Sequence, residues 1–256
     1  MVNQMRFEAK KDRQKRVLDM IVRYHTSTTE PVGSGMISKE MGLSSATIRN
    51  IMSELEELDL IRQPHTSAGR IPTDKGYRFF VNSLMETSDF SERLNYDTDE
   101  QISLLRSSSL EDVISKALHL CSMLTAQAGV AFFPSIEINE ERSRFYFDGA
   151  HYLAEHPEFR DISKICSVLR ILEERDNLLE ILMEDVKDSG IKLHIGSENK
   201  ITDFKECTII TANYSIDEDV AGTLGVIGPM RMEYEKVIPT LSSITDSISR
   251  LLEEMI

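Results

Sequence analysis

Residues 12–85 constrain the fold more than any other part of the chain, because their apolar residues fall into four runs at helical spacing with gaps that hold only turns and one small hairpin. Val17, Leu18, Ile21, Val22 and Tyr24 mark one face of a first helix over 12–26, with Arg13, Lys15, Arg16 and Arg23 on the other side. Pro31 and Gly33 interrupt it, Ser34 is placed to cap a short helix over 35–41, and Gly42 ends that helix. Ser44 and Ser45 supply the N-cap of a third helix reaching Leu58, with Ile48, Ile51, Met52, Leu55 and Leu58 as its stripe. Residues 60–63 and 71–72 read as two brief strands joined by the small-residue loop 64–70. Thr73 or Asp74 then opens a fourth helix carrying Tyr77, Phe79, Phe80, Val81, Leu84 and Met85. Helices this short bury their stripes only against one another, so residues 1–86 are expected to form one compact domain.

Charge separates this domain from the remainder. The chain of 256 residues has a formal net charge of -14, which taken whole argues against a polyanionic partner. Yet residues 1–86 hold 13 Lys and Arg against 11 Asp and Glu, while the rest hold 16 against 32. Only the first part suits DNA. Its first 16 residues, with Arg6, Lys10, Lys11, Arg13, Lys15 and Arg16, read as a basic arm leading into the first helix.

Helix, tight turn, helix, hairpin and helix is the order of a winged helix-turn-helix. A helix enters the major groove, about 12 Å wide, if its exposed N-terminal side chains are short or able to read bases. Ser44, Ser45, Thr47, Arg49 and Asn50 meet that condition. Arg49 can pair with a guanine and Asn50 with an adenine, while the Ser-Ser cap suits a phosphate. Glu54, Glu56 and Glu57 occupy the later half of the helix, expected to point away from DNA. The wing offers His65, Thr66, Ser67 and Arg70, with Ala68 and Gly69 small enough for close approach to DNA. Lys11 and Arg13 complete the expected DNA-binding set.

Residues 87–101 are polar and acidic and are expected to be a linker, leaving 102–256 as a regulatory and dimerisation domain. There, helical periodicity returns over 110–127, strands are expected at 130–133 and 144–147, helices at 158–172 and 175–187, strands at 191–195, 208–214 and 220–227, and a last helix at 234–252. The fold class is therefore α+β.

The runs Glu30-Pro31-Val32-Gly33-Ser34, Leu43-Ser44-Ser45-Ala46-Thr47-Ile48-Arg49-Asn50 and Gln63-Pro64-His65-Thr66-Ser67-Ala68-Gly69-Arg70-Ile71-Pro72-Thr73-Asp74 closely resemble the HrcA family of heat-inducible repressors. A second block does so too: Ile195-Gly196-Ser197-Glu198-Asn199, Thr211-Ala212-Asn213-Tyr214 and the stretch from Gly222 to Met232. The resemblance implies a GAF-like second domain and repression of the groE and dnaK chaperone operons. It also implies a homodimer on the inverted-repeat operator CIRCE, with the GroEL chaperonin favouring the active form. This chain is short relative to that family between about Pro134 and Arg142, where members carry part of the GAF-like domain and an inserted helical domain used in dimerisation.

Other chemistries find little support. Gly222, Gly225 and Gly228 recur every third residue without the Lys-Ser/Thr of a phosphate loop. His119, His151, His156 and His194 show no metal-ligand spacing, Asp217-Glu218-Asp219 reads as an acidic turn, and Cys121, Cys166 and Cys207 are too far apart for a zinc or disulfide pattern. No nucleophile and base can be assembled, so no enzyme, cofactor or metal is expected. Without an apolar leader or membrane span, the expected location is cytoplasmic. Two rival readings are a winged helix that docks a protein and a ligand-sensing GAF-like regulator of other genes.

Overall fold

The computed structural model describes residues 2–87, 109–133, 144–174, 176–187, 190–216 and 219–255. Two compact units emerge, Met1–Ser88 with Arg231–Glu233, and Asp89–Met230 with Tyr234–Ile256. The expected linker falls outside the described residues except for Thr87. So do the shortened stretch near Pro134 and the pair Asp217 and Glu218.

The first unit contains α1 (Val2–Thr28), α2 (Ser34–Met41), α3 (Ser45–Glu57), β1 (Ile61–Arg62), β2 (Ile71–Pro72) and α4 (Asp74–Thr87). The four helices and β1 all contribute buried side chains: Val17, Leu18 and Ile21 from α1, Ile37 from α2, Ile48 and Leu55 from α3, Ile61 from β1, Tyr77 and Val81 from α4. Burial of each such side chain contributes roughly 1.5–3 kcal/mol, which outweighs what short helices lack in intrinsic stability. β1 and β2 pair antiparallel, Ile61 opposite Pro72. Gly42, at φ 65°, takes the left-handed conformation that turns α2 into α3, and its N–H closes onto the Ser38 carbonyl. Two expectations need correction. The basic arm is helical, since α1 begins at Val2 instead of Asp12. Ser34 lies inside α2, whose N-cap is Gly33 and has no side-chain cap.

The second unit comprises α5 (Leu110–Thr125), β3 (Ala128–Phe133), β4 (Arg144–Asp148), α6 (Ala150–Glu155), α7 (Ile162–Glu174), α8 (Asp176–Asp185), β5 (Ile191–Ile195), β6 (Cys207–Ile216), β7 (Asp219–Pro229) and α9 (Tyr234–Met255). Its five strands form one antiparallel sheet in the order β4-β3-β7-β6-β5. Because strand side chains alternate, β3 sends Ala128, Val130 and Phe132 to a core shared with Leu153 of α6, Ile165 of α7 and Ile181 of α8. On the opposite face Gly129 lies against Leu118 of α5, and Thr208 shares a 2.9 Å hydrogen bond with Tyr234 of α9. The unit is thus helix, sheet, helix. α6 escapes the sequence pattern because six residues are too few to show a period.

A sheet covered on both faces must satisfy its polar groups internally. Asp185, buried at the end of α8, accepts from Thr211 Oγ1 at 2.7 Å and meets His194 Nε2 at 3.0 Å, while its carbonyl accepts from Asn213 at 3.0 Å. Asn199 sits between two single-turn 3-10 helices and points its amide at four carbonyl oxygens, of His194, Gly196, Phe204 and Cys207, at 3.0–3.2 Å. The block from Ile195 to Asn199 is therefore the end of β5 and a single 3-10 turn, held from within. Burial raises the thiols of Cys121 and Cys207 to about 12, and Cys166 is exposed.

Candidate nucleic-acid interface

The chemistry suited to DNA gathers at the start of α3 and the wing beside it. Ser44 caps α3 by accepting the Thr47 N–H at 3.0 Å, and its hydroxyl shares a 2.8 Å hydrogen bond with Thr47 Oγ1. That cap uses one of the first-turn N–H groups and leaves those of Ser45 and Ala46 outside the helical ladder, as at any helix start. With Ile48, Ile51, Met52 and Leu55 turned inward, the exposed stripe of α3 is Ala46, Arg49, Asn50 and Ser53. Ser53 is an addition to the expected set. Its position four residues after Arg49 and three after Asn50 is a signal the sequence carries openly.

Past Ser53 the acidic residues behave differently from expectation. Glu54 turns to α1, where Lys10 pairs with it at 2.8 Å and Gln14 Nε2 donates to it at 2.7 Å. The Lys10 hydrogen bond holds this carboxyl below its ordinary value of 4.5. Glu56 accepts both Nε and Nη2 of Arg70, at 3.0 and 2.9 Å, on one oxygen. Of the three glutamates only Glu57 is exposed. Two therefore hold the domain together through partners of their own.

The wing tip is exposed at His65, Thr66 and Ser67 and is closed by two devices. Ala68 N donates to His65 O at 2.8 Å, and Gln63 Nε2 donates to the carbonyls of Thr66 and Ala68 at 3.0 and 2.9 Å. Gln63 is a second residue that the sequence pattern misses, because a glutamine beside a turn looks like any solvated side chain. Gly69 also changes meaning. A Cβ there would lie 2.5 Å from the Val32 carbonyl carbon and oxygen, so its smallness serves the approach of this chain to itself. Val32 and Arg70 exchange N–H···O bonds of 2.8 and 2.9 Å, an isolated antiparallel bridge that ties the wing to the segment before α2.

Arg49, Ser53, Gln63, Ser67 and Arg70 line one open concavity of about 430 Å³ between α3, the wing and the start of α2. Of the expected DNA-binding set Arg49, Ser67 and Arg70 line it; Ser44, Ser45, Thr47, Asn50, His65 and Thr66 do not, nor do Lys11 and Arg13. On a continuous helix they lie about 200° apart, so they cannot both face one DNA backbone.

Residues 11–86 match a family model described as the winged helix-turn-helix transcription repressor, HrcA DNA-binding, and residues 134–238 match the HrcA protein C terminal domain. The chain belongs to the HrcA family. Heat-inducible transcription repressor HrcA of Brevibacillus brevis is 29% identical over 335 aligned positions, which take in 94% of this chain and 97% of that protein. The HrcA repressor of Lachnoclostridium phytofermentans is 31% identical, over 91% and 95%. An alignment of 335 positions exceeds the 256 residues of this chain, so the relative from Brevibacillus brevis carries sequence this member of the family lacks. A 2.2 Å crystal structure described only as a hypothetical protein shares the fold, with a TM-score of 0.79 at 22% identity over 96% of this chain and 99% of its own. HrcA proteins are repressors and not enzymes. Among the described residues no three His, Cys, Asp or Glu side chains are grouped to hold a metal, and no helix is long and apolar enough to cross a membrane.

Proposed function

We propose that this HrcA protein represses the groE and dnaK chaperone operons at normal temperature by binding the CIRCE inverted repeat as a cytoplasmic homodimer, with GroEL favouring the active form. Arg49 and Asn50 read base edges in the major groove. Ser44, Ser45, Thr47 and the wing tip His65, Thr66 and Ser67 hold the sugar-phosphate backbone, joined by whichever of Lys11 and Arg13 shares that side. The observation that carries this reading is the exposed stripe Arg49, Asn50 and Ser53 on a capped helix, of which Arg49 and Ser53 line the same concavity as the wing. A two-fold operator calls for a two-fold protein, which supports the homodimer.

The rival in which α3 docks a protein is not favoured. Such a surface is expected to expose large apolar side chains; Met36 and Phe79 are exposed on α2 and α4, and on α3 the exposed one is Leu58, at the C-cap and at the opposite end from Ser44. Gel-shift titration with the inverted repeat, a scrambled duplex and added GroEL tests the proposal. Preferential retention of the repeat, strengthened by GroEL, is expected. Equal affinity for both duplexes with and without GroEL would overturn it.

A further inference from the structure

We propose that Glu56 is a positioning residue for operator discrimination, an acidic side chain whose hold on Arg70 strengthens sequence-specific DNA binding by fixing the wing against α3. The inference rests on the DNA-binding reading above. Arg70 is anchored three ways. Its Nε and Nη2 converge on one Glu56 oxygen at 3.0 and 2.9 Å, its backbone exchanges two hydrogen bonds with Val32, and the preceding Gly69 is pressed against Pro31 and Val32. The pair is half-buried, with side chains 21% and 36% exposed, so solvent screens it less than an open surface pair.

Wing and helix meet here through a side-chain pair. Arg70 leads into β2, Glu56 lies in the last turn of α3, and Arg49 and Ser67 line the same concavity as Arg70. An Arg49 that reads a base and a Ser67 that holds a phosphate must keep a fixed separation, and the Glu56 carboxylate sets it through Arg70. With two of its donors already engaged, Arg70 acts on DNA through geometry rather than as a mobile phosphate clamp.

Electrostatics alone makes the opposite prediction. Removing a negative charge from a DNA-binding unit should raise affinity for every duplex, operator or not. If Glu56 positions the wing, Glu56→Gln instead separates the two duplexes. The full chain is titrated by fluorescence anisotropy against the inverted repeat and a scrambled duplex, with thermal denaturation recorded alongside. Operator affinity is expected to fall about tenfold, as when one good base contact is misplaced, while scrambled affinity holds or rises. Arg70→Lys, which keeps the charge and loses the planar fork, should show the same split. The exchange Glu56→Arg with Arg70→Glu should recover part of the discrimination, and it serves as the deciding variant if a single substitution fails to fold.

Equal gains on both duplexes would overturn the inference in favour of simple repulsion. Equal losses with a lowered Tm would overturn it in favour of a purely structural pair. A wild-type protein that does not prefer the repeat would overturn the DNA-binding reading, whereas a wild-type preference retained by Glu56→Gln would overturn only the role of Glu56.

Discussion

In the first unit Asn50, Ser53, Thr66 and Ser67 stand exposed on a helix and a loop, whereas in the second Asn199, Thr208 and Thr211 are buried and bonded to their own protein. The residue types are the same and their work is opposite. What separates them is coverage. α3 buries one stripe and leaves the rest to solvent, while β6 has a helix layer on each side, so its polar groups find partners inside or cost about 1–3 kcal/mol each. Polar side chains on a half-covered element are available to a partner molecule, and those on a fully covered one are part of the fold.

The difference can be broken from the second unit first. Asn199→Asp puts a carboxylate oxygen among four carbonyls, and a loss of about 3 kcal/mol or more is expected, measured by chemical denaturation. The introduced carboxyl is destabilised in its charged form, so its folded pKa lies above the unfolded one. Stability is then retained at acid pH and lost as pH rises, and a variant indifferent to pH would show the site to be looser than described. On the first unit Arg49→Ala should do the converse, removing roughly 1–3 kcal/mol of operator discrimination while leaving Tm unchanged. A lowered Tm would place Arg49 with the structural residues. Ser44→Ala lies between these extremes, costing about 1 kcal/mol of stability through the lost cap and weakening binding to operator and scrambled DNA alike. The smallest effect belongs to Lys10 and Glu54. Glu54 is held below 4.5 by Lys10, so its contribution is present above that value and lost as pH falls through the depressed folded pKa. Lys10→Met should lower Tm slightly at neutral pH and flatten the acid limb of Tm against pH.

Much of the first unit is legible because its helices are amphipathic and its turns carry Gly, Pro and Ser. The stripe from Ile48 to Leu55 and the Ser44 cap can be read without coordinates. The start of α1 cannot, since residues 2–11 have no apolar period although they continue the helix. The partners of Gly69 and Arg70 within the chain, Val32 and Glu56, are invisible in one dimension because that proximity is tertiary. Gln63 is hidden for the same reason. In the second unit the strands show as apolar runs, yet the partners of Asp185, 9 to 28 residues away along the chain, are set by sheet register.

The stitching of Gly69 and Arg70 to Val32 has a consequence for how such a protein diversifies. One post of the wing is β1, and the other is tied to the segment between α1 and α2, so neither can swing without disturbing the core. Residues 65–67 between those posts are exposed and are held through the backbone carbonyls of His65 and Thr66, so their side chains can be exchanged without touching the posts. New contact preferences can be tried there three side chains at a time, with the scaffold that carries them left as it was.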